Sequence, residues 1–241
     1  MGRCAARRIL VTGASSGIGE ATARALAAEG ARVGLLARRG EVLEALADDI
    51  GGVAETADVA DAQATRTAVD AAAERLGGLD GLVNAAGLVR PGRVATSDPA
   101  DWRTMFEVNV LGLLNATQAA IGHLRAAGRG DVVNVSSMSG RRLQTPEMGV
   151  YGATKAAVHT LSEGLRRELT PDRIRVSVIA PGLVDTPIFE GLEDPVAAGL
   201  RDAAPRVGLS AEEVASAIVE VVAAPEHLMH VEVALLSLDQ T

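Results

Sequence analysis

The sequence predicts an α/β fold: a doubly wound, seven-stranded parallel sheet with helices on both faces, formed by one domain over residues 1–241. Three observations carry this. Short β-branched runs alternate with helical stretches along the chain. Each run ends in small residues, as strands buried beneath helices do. The first run passes through a glycine-rich turn straight into a helix.

The elements follow in order. Strand 8–12 leads through the turn to helix 17–29, and strand 32–37 to helix 41–49. Strand 53–57 precedes helix 61–76, and strand 79–84 precedes one long helix over 98–127. Strand 131–136 is followed by helix 150–170, and strand 174–179 by helix 211–223. Strand 231–238 closes the sheet. One segment breaks the rhythm: residues 186–209, with Gly191, Pro195, Gly199 and Pro205, read as a mobile lid over a site.

Composition narrows the function classes. Hydrophobic residues make up 48% of the 241 and aromatics only 2%, so the core is aliphatic. A net charge of −8 without any Lys/Arg-rich run argues against nucleic-acid and anionic-membrane partners. Cys4 is the only cysteine, which rules out an intrachain disulfide and a cysteine metal cluster. His123, His159, His227 and His230 have no metal-ligand spacing, so no metal is expected. Apolar runs are strand-sized rather than membrane-sized, and a cytoplasmic location is the simplest expectation.

In such sheets ligands bind beyond the carboxyl ends of the strands. There the first strand meets Gly13, Ser15, Ser16, Gly17, Ile18 and Gly19, whose glycines let the backbone approach a pyrophosphate at a helix N-terminus. The second strand ends in Ala37-Arg38-Arg39 without an acid until Glu41. An acid there would bind the ribose hydroxyls, whereas arginine accepts a 2′-phosphate, so the cofactor expected is NADP. Asp58-Val59 and Asn84-Ala85-Ala86-Gly87 end the third and fourth strands where a cofactor would pass.

These residues resemble the short-chain dehydrogenases/reductases over the whole chain. The matching segments are TGASSGIG at 12–19, DV at 58–59, NAAG at 84–87, Asn109 in FEVNVLG, NVSS at 134–137, YGATK at 151–155 and PGLVDT at 181–186. The opening, the double arginine and the closing LSLDQ are also similar to NADP-dependent clavulanate-type and hydroxy-acid dehydrogenases. The family resemblance implies a Rossmann-type fold, a homotetramer, and a cofactor also touched by Pro181, Gly182, Val184 and Thr186.

Tyr151 and Lys155 are the chain's only tyrosine and only lysine. Four positions apart on a helix, they share one face. A phenol ionises near pH ~10, and bringing that to neutrality takes roughly 4 kcal/mol of preferential phenolate stabilisation. A nearby ammonium in a partly dry cleft supplies much of it. Every other cationic side chain except histidine is arginine, so this position needs a flexible point charge rather than a planar fork. The resemblance implies that Tyr151 donates or accepts the proton while Lys155 lowers its pKa and binds the nicotinamide ribose. It further implies that Ser137 polarises the carbonyl and that Asn109 holds a water relaying protons to Lys155.

Two positions depart from the family pattern. Ser137 lies 14 residues before Tyr151, one more than is usual, which places an extra residue in the 141–150 loop. Ala85 stands where many relatives have a second asparagine. The expected function is NADP(H)-dependent hydride transfer to or from a carbonyl or secondary alcohol, the small-molecule partner. An NAD-dependent relative and a catalytically silent NADP-binding regulator are the alternatives.

Overall fold

The structure, a computed structural model, describes residues 2–240. In chain order the first half contains β1 (Arg8–Thr12), α1 (Gly17–Ala28), β2 (Arg32–Ala37), α2 (Gly40–Ile50), β3 (Val53–Thr56), α3 (Ala62–Leu76), β4 (Gly81–Asn84), α4 (Pro99–Phe106) and α5 (Leu113–Ala126). The second half contains β5 (Gly130–Val135), α6 (Gly149–Leu169), β6 (Ile174–Pro181), β7 (Val184–Asp185), α7 (Pro195–Val207), β8 (Leu209–Ser210), α8 (Ala211–Ala223) and β9 (Glu232–Leu235). Seven strands form one sheet in the order β3-β2-β1-β4-β5-β6-β9, and every pairing within it is parallel. The chain turns back between β3 and β4, which leaves a crevice beyond the carboxyl ends of β1 and β4.

Alternation along the strands builds a core on each face. Ile9, Val11, Val33, Leu35 and Val83 pack against Leu26 of α1, Leu43 of α2 and Ile218 of α8. Leu10, Leu36, Leu82 and Val132 face the other way, onto Leu76 of α3 and Leu124 of α5. Each fully buried leucine contributes on the order of 2 kcal/mol. With so few aromatics, the interior is filled by many such small increments.

Three elements differ from the sequence reading. The helix expected over 98–127 is α4 and α5 joined by a π-helical turn, Glu107–Gly112. That wider turn brings Gly112 against Val59, where an added Cβ would lie 2.7 Å from the valine methyl. The segment 186–209, which breaks the rhythm in the sequence, holds α7, capped by Asp194 with Pro195 in the first turn, and the short parallel pair β7–β8. Pro195 here opens a helix, as proline in a first turn does. The last strand is shorter than 231–238, because Gln240 folds back to bond the backbone of Leu183.

At the end of the sheet opposite the crevice lies an ion cluster that pattern reading did not find. Arg7 contacts Asp80 at 2.6 Å and Asp131 at 2.7 Å, and Arg175 contacts Asp131 at 2.7 Å. Both aspartates are buried. Arg175 also donates to the carbonyls of Val222, Ala224, Pro225 and Leu228, tying the end of α8 to the sheet. Removing one partner of a buried pair leaves the other charge uncompensated. Asp131→Asn is therefore expected to lower unfolding free energy by about 3–5 kcal/mol, read from urea midpoints, with cofactor titrations unchanged.

Candidate active site

The crevice is built from the glycine turn upward. Gly13 has φ +67°, and a Cβ there would lie 2.7 Å from the Ala86 backbone, so the turn closes only with glycine. Gly19 is equally constrained, since its Cβ would stand 2.3 Å from the Gly13 carbonyl oxygen. Ser16 takes the N-cap position of α1 in an extended conformation, and its side chain makes no capping bond. The free N–H groups and the positive end of α1 are thus left to the crevice, which suits a diphosphate. Ser15, Ser16, Gly17 and Ile18 line it here.

The two arginines after β2 have different surroundings. Arg39 donates to the Ser15 carbonyl at 2.7 Å and to the Ser15 hydroxyl, bracing the turn. Arg38 is 71% exposed and stands 3.8 Å from Asp58, a loose contact. Asp58 and Val59 border the same stretch of crevice, followed by Ala85, Ala86 and Gly87. Asn84 departs from expectation. Its side chain is buried under the sheet, donating to Thr117 at 3.0 Å and Asn134 at 2.9 Å, because the residue at this register points away from the crevice. Thr12, the first residue of the TGASSGIG segment, accepts from the N–H groups of Ala85 and Ala86 and shapes that wall.

Further along lie Pro181, Gly182, Val184 and Thr186, with Ile188, Phe189 and Leu200 from the 186–209 segment. Facing them are Ser137, Tyr151 and Lys155. Tyr151 and Lys155 share one face of α6, and both are buried. The Lys155 Nζ donates to the Val135 carbonyl at 3.0 Å and lies 5.8 Å from the centre of the Tyr151 ring. Gly140 and Gly152 let the loop after β5 press onto α6. A Cβ on Gly140 would come within 2.7 Å of the Lys155 backbone, and one on Gly152 within 2.7 Å of the Ser139 carbonyl oxygen.

The serines separate by direction. Ser136 donates to the Lys155 carbonyl at 3.0 Å and turns toward the helix. The Ser137 hydroxyl accepts from the Ser139 N–H at 3.1 Å and lines the same cleft wall as Tyr151. Asn109 sits in the π-helical turn with its amide nitrogen and oxygen both partnered. It donates to the Leu88 carbonyl at 2.9 Å and to Thr154 at 3.0 Å, and accepts from the Leu88 N–H at 2.9 Å. Thr154 in turn donates to the Tyr151 carbonyl at 2.7 Å. A Cβ on Gly87 would meet both Asn109 and Lys155, at 3.3 and 3.5 Å, so the two residues flank one gap.

Burial governs the acidities. It pushes the Tyr151 phenol up to about 12, with the Ser137 hydrogen bond opposing it. The Lys155 ammonium is driven down to about 8 by the same cause. The Lys155 ammonium lies over the ring and donates to the Val135 carbonyl, and burial is the larger influence on the phenol.

The short chain dehydrogenase family model matches residues 7–196. The chain belongs to that family. It is 35% identical over 221 residues to an uncharacterized oxidoreductase of Staphylococcus epidermidis, covering 91% of this chain and 92% of the relative. A short chain dehydrogenase from Burkholderia cenocepacia in complex with NADP superposes with a TM-score of 0.85 at 35% identity, covering 99% of this chain and all of that one. A 3-ketoacyl-(acyl-carrier-protein) reductase from Brucella melitensis complexed with NADH superposes with a TM-score of 0.85 at 29% identity, over 96% of this chain and 97% of that one. The fold is thus the family's Rossmann-like α/β fold, and the chain is an oxidoreductase. No helix among the described residues is long and apolar enough to cross a membrane.

The two shifted groups give opposite pH signatures. An unfolded lysine ionises near 10.5, so between pH 8 and 10.5 the unfolded chain binds more protons and stability rises with pH. An unfolded tyrosine ionises near 10.0, so between pH 10 and 12 the folded chain keeps its proton longer and stability falls. Relative to wild type, Lys155→Met is expected to lose the rise between pH 8 and 10 and to be more stable at pH 7. Urea midpoints measured across that range for both proteins check this.

Proposed function

We propose that the protein transfers a hydride between NADP(H) and a carbonyl or the corresponding secondary alcohol, with Tyr151 as the proton donor or acceptor. The observation that carries this reading is the buried Tyr151 phenol on the same cleft wall as Ser137, with the Lys155 ammonium over its ring. NADP(H), when bound, supplies or receives the hydride.

The residues present fit that cofactor. The uncapped N-terminus of α1 and the Gly13–Gly19 turn hold the diphosphate, and Arg38, held only loosely by Asp58, takes the 2′-phosphate. Asp58 and Val59 border the adenosine. Ala85, Ala86, Pro181, Gly182, Val184 and Thr186 enclose the nicotinamide end, and residues 186–209 cover the substrate as a lid. Asn84 acts indirectly, by holding the ends of β4 and β5 together.

In the reducing direction, the Ser137 and Tyr151 hydroxyls hydrogen-bond the carbonyl oxygen as negative charge builds on it. Tyr151 then delivers its proton to that oxygen, and the phenolate left behind is stabilised by Lys155. Burial keeps the phenol protonated at neutral pH, ready to donate. Oxidation of an alcohol needs the phenolate, so it gains as pH rises. Asn109 stands beside Lys155 and is assigned to the water relay that restores the proton. The same reading carries a cytoplasmic homotetramer, for which Ala153 and Gly164 leave α6 open to close approach by another copy.

Two experiments test the reading. NADPH oxidation over a panel of ketones and aldehydes should show turnover, and Ser137→Ala should lower kcat by ~10²–10³ with NADPH affinity retained. Ser136→Ala and Ser139→Ala should cost far less. No turnover in the wild type on any carbonyl, with NADPH bound, favours the silent regulator. Arg38→Ala should weaken NADPH by about 1.5–3 kcal/mol and NADH little. Equal losses for both cofactors remove the phosphate role.

A further inference from the structure

The catalytic cleft has a charge character unlike the rest of the molecule. The chain has 31 acidic residues against 23 lysines and arginines, yet among the described residues no aspartate or glutamate lines the cleft around Ser137 and Tyr151. Its two cations are Lys155, already occupied with the Val135 carbonyl, and Arg142. Although the 186–209 segment carries Glu190, Glu193, Asp194 and Asp202, it contributes only Thr186, Ile188, Phe189 and Leu200 to this wall. Glu190 lies instead on the adjoining stretch of crevice beside Arg38 and Asp58, and Asp194 caps α7.

Arg141 and Arg142 are adjacent but committed differently. Arg141 forms a two-pronged ion pair with Glu232 of β9 and turns away from the cleft. Arg142 has no ion pair or side-chain hydrogen bond among the described residues, and it lines the cleft together with Gln144. Its backbone is nonetheless fixed. The Arg142 N–H donates to the Met138 carbonyl at 2.8 Å, one turn past Ser137. The next residue, Leu143, packs on Gly152 beside Tyr151, where an added Cβ would lie 2.5 Å from the leucine methyl. A guanidinium on an anchored backbone, unpaired, at the rim of an acid-free cleft is placed to receive an anion.

Resting on the hydride-transfer reading above, we propose that the substrate is an aliphatic carbonyl compound bearing a carboxylate, and that Arg142 is the specificity-determining residue that binds it. The planar fork of the guanidinium matches a carboxylate in two parallel hydrogen bonds. Val89, Met148, Ile188, Phe189 and Leu200 provide the apolar wall for the chain between carboxylate and carbonyl. The absence of wall carboxylates leaves nothing to repel the substrate's charge, and the overall negative surface makes that local exception selective.

The test uses the NADPH-loaded full chain and a set of short straight-chain oxo acids, each paired with its own methyl ester. Both members share one reacting carbonyl and differ in charge. The wild type should favour at least one acid over its ester in kcat/KM, and Arg142→Ala should cut that acid-to-ester ratio roughly 10- to 100-fold. The loss should appear chiefly in KM, and Arg142→Lys should restore part of it. Calorimetric titration of the same compounds gives a readout independent of turnover, and the acid should bind more tightly than the ester only while Arg142 is present. Equal use and equal binding of acids and esters by the wild type, or an unchanged ratio in Arg142→Ala, overturns the carboxylate site. If neutral ketones turn over while the acids do not, the carboxylate site falls and hydride transfer stands. If nothing turns over, hydride transfer falls, and the binding ratio alone decides the role of Arg142.

Discussion

Everything in the crevice is arranged around one costly constraint, the burial of an ammonium. Lys155 lies inside the protein with a single carbonyl acceptor, Val135, and the face of an aromatic ring as its other electrostatic neighbour. Desolvation of this kind is tolerated only where neighbouring groups hold the charge in place. The supports are traceable: Ser136 bonds the Lys155 carbonyl, Gly140 lies against its backbone, and Asn109 reaches Thr154, the residue before it. The π-helical turn that presents Asn109 is part of the same support. A regular α-helix over that stretch would rotate the amide away from Leu88 and Thr154.

The sheet divides its duties between its two ends. At one end Arg7, Asp80, Asp131 and Arg175 bind strands and α8 together with buried charge. At the other, backbone N–H groups, glycines and hydroxyls are left available. Polar groups at the first end satisfy one another, whereas the second presents the N–H groups of the uncapped start of α1 to the crevice. The buried amide ladder of Asn84, Asn134 and Ser162 runs between β4, β5 and α6 and keeps the ends of those strands in register.

Much of this was legible in the sequence. The strand–helix alternation, the glycine turn and the i, i+4 pairing of Tyr151 and Lys155 depend on local periodicity, and periodicity is what a sequence displays. What stayed hidden depends on long-range placement. Asn84 reads as a crevice residue until strand register shows which way it points. The π-helical turn leaves no mark, because its residues are as apolar as those of an ordinary helix. Asp80 and Asp131 look like loop and strand-end acids until Arg7 and Arg175 are brought to them from 73 and 44 positions away. Spacing reveals that Tyr151 and Lys155 share a face, and not which atoms meet or how dry the face is.

The scarcity of aromatics has a consequence of its own. Trp102 is the only tryptophan and Tyr151 the only tyrosine, and both belong to the small cluster that also holds Phe189 from the segment over the cleft. Ultraviolet absorbance and emission from this protein therefore come almost entirely from that one corner. An optical signal that in most enzymes averages over many chromophores is here local by composition, so phenol ionisation and any change in packing around Trp102 each report on a single identified side chain.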